Sequence, residues 1–246
     1  MKHDSDESMR AKAAQTLGNC VHYRERSVPL LRAALKDGAL VVRVRAAGAL
    51  GRLHSAGDGE VRLLRTALAD AEAQNDSLLL CWILEEIGNL GRAGKVVVPD
   101  LLPFLFHADF VSRHTAITAL IEIGDDREEV VRALIGVLEG SHLSARWTVL
   151  GEAARESFKP LLTGRFRPGK PDLWEHFKAF SRIRAENLAC RERAIYVLSR
   201  LCGRARAAIP AIAACAKEAD LRDTAEYAIH RLSRPRWLFL WGAEGY

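Results

Sequence analysis

The sequence predicts an all-α chain, a solenoid of about seven stacked helical hairpins. Three observations predict it. A template of Arg, two residues, Ala, two residues, a small residue, Leu, two residues and Leu recurs along the chain. Its first positions are 10, 43, 80, 113, 146, 191 and 222, spaced 33, 37, 33, 33, 45 and 31. A near-constant period of that size marks stacked supersecondary units. Inside each copy the 3-and-4 spacing is one stripe of an α-helix. Composition agrees, because Ala, Leu and Arg dominate and all three favour helix. The best strand-like run, "KVVVP" at 95–99, is too short and isolated to found a sheet.

Each copy supplies the second helix of a hairpin. The copies read Arg10, Ala13, Thr16, Leu17, Cys20; then Arg43, Ala46, Ala49, Leu50, Leu53. Leu80, Ile83, Glu86, Ile87, Leu90 is a weaker third, and Arg113, Ala116, Ala119, Leu120, Ile123 a clear fourth. Arg146, Val149, Glu152, Ala153 is again weak. Arg191, Ala194, Val197, Leu198, Leu201 and Arg222, Ala225, Ala228, Ile229, Leu232 complete the series. First helices are expected at "VPLLRAAL" (28–35), "EVRLLRTAL" (60–68), "VPDLLPFLF" (98–106), "VVRALIGVL" (130–138) and "AIPAIAACA" (208–216). Pro near their starts is tolerated there. Gly18, Gly51, Gly88 and Gly91 fall near the ends of second helices, where Gly can stop a helix. In the stretched interval, Gly164, Pro168, Gly169 and Pro171 predict a loop. Asp172 with Glu175 then forms a capping box. Trp174, Phe177, Phe180 and Ile183 follow on one face, as the core of a sixth hairpin.

The stretch "VPLLRAALKDGALVVRVRAAGALGRL" resembles a HEAT-type repeat, armadillo-like in architecture, of the short kind found in bilin-lyase-like HEAT proteins. The resemblance covers most of residues 8–233. It implies a ladder of contacts between an Asp in the intra-repeat turn (Asp37, Asp70, Asp109) and the Arg of a neighbouring helix. The ladder is interrupted where Leu80 replaces Arg. Arg43 is therefore expected to be architecture, its guanidinium bonded to turn carbonyls and carboxylates.

The 246 residues read as one solenoid domain over 1–246. It carries a polar tail at 1–7, a basic loop at 164–171 and an apolar C-terminal cap or docking tail at 234–246. Five cysteines, no CxxC and an acidic, polar N-terminus point to reduced thiols and a cytoplasmic protein. No apolar run approaches the roughly 20 residues a membrane span needs. The net charge is +5, but residues 155–206 hold 13 Lys or Arg against 5 Asp or Glu, a net of +8. The rest of the chain is slightly acidic.

Positions two, five and nine after each first residue share a stripe outside the packing positions. They are expected to line the inner face. Early members are Lys12 and Gln15, then Arg45, Gly48 and Arg52, then Trp82, Glu85 and Asn89. Glu122 follows. The C-terminal members are Arg155, Arg193, Tyr196, Arg200, Tyr227 and Arg231. Arginine with aromatic rings suits an acidic protein surface or a phosphate backbone. The loop residues Arg165, Phe166, Arg167 and Lys170 suit the same partners. Glu86 and Glu152 stand in slots where Ala is expected. A buried carboxylate must be paired with an arginine or carry a raised pKa. Glu85, Glu86 and Glu122 are thus the candidate catalytic acids. Glu86 is expected to pair.

Other chemistry is missing from the sequence. No His precedes Glu, and there is no HExxH, P-loop, Rossmann fingerprint or GxSxG. The reading is a non-enzymatic scaffold that binds a protein, expected to present an acidic surface, with no cofactor and no metal. The alternatives are a nucleic-acid binder, including a HEAT-like DNA glycosylase, and a bilin-lyase-like protein-modifying subunit.

Overall fold

The structure, a computed structural model, describes residues 6–140 and 171–233. All regular elements among the described residues are helical. The chain divides into two compact units, Met1–Val130 and Val131–Tyr246.

In the first unit the template copies lie on α1 (Glu7–Gly18), α3 (Leu40–Arg52), α5 (Ser77–Asn89) and α7 (Phe110–Ile123). The first helices are α2 (Arg24–Ala34), α4 (Asp58–Ala73) and α6 (Val98–Leu101). α1 packs on α3, α3 on α5 and α5 on α7. That row of second helices, with first helices joined to it, is the stacking of an α-solenoid. The Ala and Leu template positions supply the core. Ala46, Leu50, Ile83, Ile87, Ala116 and Leu120 are all fully buried. Each buried leucine or isoleucine contributes roughly 1.5–3 kcal/mol.

The helix starts are set by acids. Asp6, Asp76 and Asp109 accept from the backbone N–H of Ser8, Leu79 and Ser112, at 2.8, 3.0 and 2.7 Å. Such caps satisfy donors that the first helical turn leaves unpaired. The stops match expectation only in part: Gly91 does take a left-handed φ, 55°, just after α5. Gly124 takes the left-handed φ of 65° after α7, and so does His54, at 51°, after α3. Gly18 and Gly88 lie within their helices and serve close approach instead. A Cβ on Gly18 would stand 2.7 Å from Ala49 Cβ, and one on Gly88 would stand 2.9 Å from Ala119 Cα.

The arginine ladder is real but uneven. Arg10 on α1 forms a two-bond pair with Asp37, both at 2.9 Å. Arg43 instead donates to the Asp37 and Gly38 carbonyls of its own turn, and Arg113 to those of His107 and Ala108. Asp70 makes no turn contact of this kind. α4 runs on to Ala73, so Asp70 sits exposed on the helix, and Asp76 takes the turn position. Leu80 is buried where the guanidinium would be.

Two elements depart from expectation. The segment 98–106 is one helical turn followed by a 3-10 stretch, Leu102–Phe106, rather than a full helix. Pro103 lacks the N–H that would continue the i→i−4 ladder. In the second unit a single helix, α9 (Pro171–Arg200), replaces the sixth hairpin. No Gly or Pro lies between Pro171 and Gly203, so nothing in the sequence stops it. α10 (Ile209–Cys215) and α11 (Arg222–Ser233) follow, and α11 packs on both α9 and α10. Ala194, Val197 and Leu198 on α9 are buried, as are Ala225, Ala228 and Leu232 on α11. Arg191 pairs with Glu218 at 2.8 Å, 27 residues on, the same separation as Arg10 and Asp37. α8 (Glu128–Leu138) contains the division between units. The copy at 146, the loop at 164–170 and the tail at 234–246 lie outside the described residues.

The ladder sets a pH dependence. The Arg10 guanidinium, with the Ala39 N–H, holds the Asp37 carboxyl below its ordinary value of 3.8. Burial opposes the charge of Asp125, yet Arg127 outweighs it and holds that carboxyl low too. A depressed folded-state pKa adds stability that is present above the unfolded value. That stability is lost as pH falls through the folded one. Denaturant unfolding measured from about pH 7 down to about pH 2 is expected to show stability falling below about pH 4. Asp37→Asn should lower stability at neutral pH and make that acid limb shallower.

Candidate functional site

The first unit concentrates its unusual chemistry where α1, α3 and α5 meet. Glu86 stands on α5 in a slot that the template fills with alanine. Its side chain is 0% exposed. A carboxylate without water must be held by protein donors. Arg45 donates to Oε1 at 2.7 Å, Arg52 to Oε2 at 3.2 Å and Asn89 to Oε2 at 2.8 Å. Arg45 also donates to Glu85 at 2.8 Å, and its guanidinium lies 5.2 Å from the centre of the Trp82 ring. Arg52 reaches back to the Gln15 carbonyl of α1 at 3.5 Å. Two arginines of α3 therefore tie α5 to α3, and Arg52 extends the tie to α1.

Gly48 makes the space. A Cβ there would overlap the Glu86 carboxylate. Gly51, one turn on, lets α3 touch the backbone of Asn89 and Leu90.

The electrostatics follow from burial. Burial pushes the Glu86 carboxyl up, and Arg52, Arg45 and Asn89 pull it back only in part. Burial also disfavours the Arg45 charge, but Glu86 and Glu85 outweigh it and raise that guanidinium further. The sign for Glu86 is opposite to that for Asp37. A raised folded-state pKa adds stability at low pH that is lost as pH rises, so the acid limb does not come from Glu86.

This corrects one expectation. Arg45 is buried and Arg52 partly so, and both are ion-paired to Glu86 rather than turned outward on a binding surface. Glu86 is paired, as its slot implied. Its side-chain hydrogen bonds go to Arg45, Arg52 and Asn89. Glu85 is exposed beside it, and Glu122 is exposed on α7. What the sequence reading missed is that Glu86, Arg45, Arg52 and Gly48 are one unit. The signal was present: a carboxylate in an alanine slot, with a glycine and two arginines in the stripe of the preceding copy.

Above this network lies an open cleft of about 540 Å³. Lys12, Gln15, Arg45 and Trp82, four stripe positions from three successive copies, line it together. Leu40, Val41, Leu78 and Leu79 add apolar wall. In the second unit Tyr196 and Arg200 are exposed on α9, and Arg193 is half-buried. On α11 Tyr227 is exposed, and Arg231 donates to its hydroxyl at 3.1 Å. Arg155, Arg165, Phe166, Arg167 and Lys170 lie outside the described residues. Among the described residues, no group of three or more His, Cys, Asp or Glu is placed to hold a metal. No helix there is long and apolar enough to cross a membrane.

The Gly48 clearance is testable. Gly48→Ala is expected to cost about 3 kcal/mol in urea unfolding, because overpacking is joined by displacement of a buried ion pair. Gly59→Ala, at a helical site with nothing within 4 Å of the new Cβ, should gain about 0.5–1 kcal/mol.

Comparison with known proteins agrees with this repeat architecture. Residues 1–76 match the family model described as HEAT repeats. No curated protein matches the chain. The matched region spans α1 to α4 and includes both arginines of the Glu86 network. Over residues 1–76 the chain is therefore similar to HEAT repeats, and the stacking of α1, α3, α5 and α7 agrees with that match.

Proposed function

We propose that the chain is a non-enzymatic scaffold that binds a protein partner along the faces of its second helices. HEAT repeats commonly serve as protein-interaction scaffolds. The observation that carries the proposal is the cleft over α1, α3 and α5. Three successive repeats contribute to it, Leu40, Val41, Leu78 and Leu79 give it apolar wall, and Trp82 and the 62% exposed Leu78 border it. Aromatic and aliphatic anchors on a rigid floor are what a protein partner needs. A phosphate backbone needs cations, and here the arginines are neutralised by Glu86 and Glu85.

The second unit supports the other half of the reading. Arg193, Tyr196 and Arg200 on α9, with Tyr227 and Arg231 on α11, suit an acidic protein surface. No acid occupies a stripe position there.

The test is affinity capture from lysate with the intact chain, repeated with nuclease and with two variants. The expected result is a protein partner that survives nuclease. Leu78→Asp should release one set of contacts and Arg200→Glu another, with far-UV circular dichroism unchanged. Capture that disappears with nuclease, and depends on Arg200 alone, would replace this reading with nucleic-acid binding.

A further inference from the structure

The cleft continues into a longer apolar row. Val41, Leu78 and Val111 occupy the same template position, two residues before the first residue, on α3, α5 and α7. Val41 is half-buried, whereas Leu78 and Val111 are 62% and 52% exposed. Since α3 packs on α5 and α5 on α7, these residues follow one another across the stacked helices. Trp82 stands one helical turn from Leu78 on the same face.

Charge borders this row on both sides. Glu7 and Asp76 lie exposed at the N-terminal ends of α1 and α5, and Glu85 and Glu122 lie exposed toward the C-terminal ends of α5 and α7. Lys12 is the exposed cation among the described residues lining the cleft. Arg45 is held by Glu85 and Glu86, so it offsets Glu85 but not Glu7 or Asp76.

We propose that this face seats an extended segment of a partner protein that presents apolar side chains toward the Val41–Leu78–Val111 row and lysine or arginine toward its acidic margins. The proposal rests on the reading of this face as a docking surface and adds the chemistry of what docks. Packed helices lie about 8–10 Å apart, and an extended polyproline-II segment rises about 3.1 Å per residue with three residues per turn, which keeps i, i+3 and i+6 on one face. The partner's apolar residues therefore fall three apart, at i, i+3 and i+6. The basic residues between them meet Glu7 and Asp76, the acids that line the cleft with Leu78. This polarity is opposite to that expected from the arginines of the stripe, and it follows from Glu86 having neutralised them.

The experiment is selection of a displayed random library of peptides roughly 12 residues long, which span about 40 Å when extended, on the full chain. One enriched peptide is then titrated by fluorescence anisotropy. The expected peptides are net positive, with large apolar residues three apart. Leu78→Asp should weaken binding about tenfold or more, and Glu7→Lys should weaken it several-fold. Glu7 is exposed and outside the buried network, so the fold should persist. If Leu78-dependent peptides are net negative or uncharged, the basic chemistry is wrong while the docking face stands. If no peptide responds to Leu78→Asp, the docking face itself is refuted.

Discussion

A carboxylate buried among helices is the constraint on which the first unit depends. Glu86 has no contact with water, so its charge is met by Arg45, Arg52 and Asn89 or not at all. Meeting it fixes a good deal else. Gly48 has to lack a side chain, Arg45 has to lie beside Trp82, and Arg52 has to pass between α1 and α5. The desolvation penalty of such a group is several kcal/mol, so the network does not exist for net stability alone. Its geometric effect is to lock the relative positions of three helices. The cleft above it therefore has a floor that does not rearrange when a partner arrives.

The same network decides what the face can recognise. In an arginine-rich sequence the obvious inference is a basic groove. Here the arginines of the α3 stripe are consumed inside the protein, as Arg10, Arg43 and Arg113 are consumed by turn groups. Apart from Lys12, the charge that remains exposed along the cleft is acidic. Charge counted along a sequence is thus a poor guide to charge presented by a face. In the second unit Arg191 is likewise tied to Glu218.

Helix placement was legible because one spacing rule governs it. The Ala and Leu template positions are the buried ones in α3 and α7, and Ala225, Ala228 and Leu232 are buried in α11, whereas in α1 burial falls on Ala11, Ala14 and Gly18 instead. Legibility failed where local chemistry competes with that period. Pro103 turns a predicted helix into 3-10 structure, and the lack of any breaker from 172 to 202 makes α9 continuous. Asp70 was mistaken for a turn residue because α4 is one turn longer than its counterparts. At the site, Glu86 was rightly seen as anomalous. Its partners were not identified, because a stripe position fixes the face of a helix and not whether a long side chain reaches across it.

The central claim is that Arg45 and Glu86 form an architectural pair. The most direct measurement is a double-mutant cycle in urea with Arg45→Met, Glu86→Leu and the combined variant. The account predicts that each single change costs about 3–5 kcal/mol, since each strands a buried charge. The combined variant should recover most of that loss, a coupling of about 2 kcal/mol or more. Additive losses, or single changes that cost almost nothing, would contradict it and return Arg45 to the pool of residues that meet a partner.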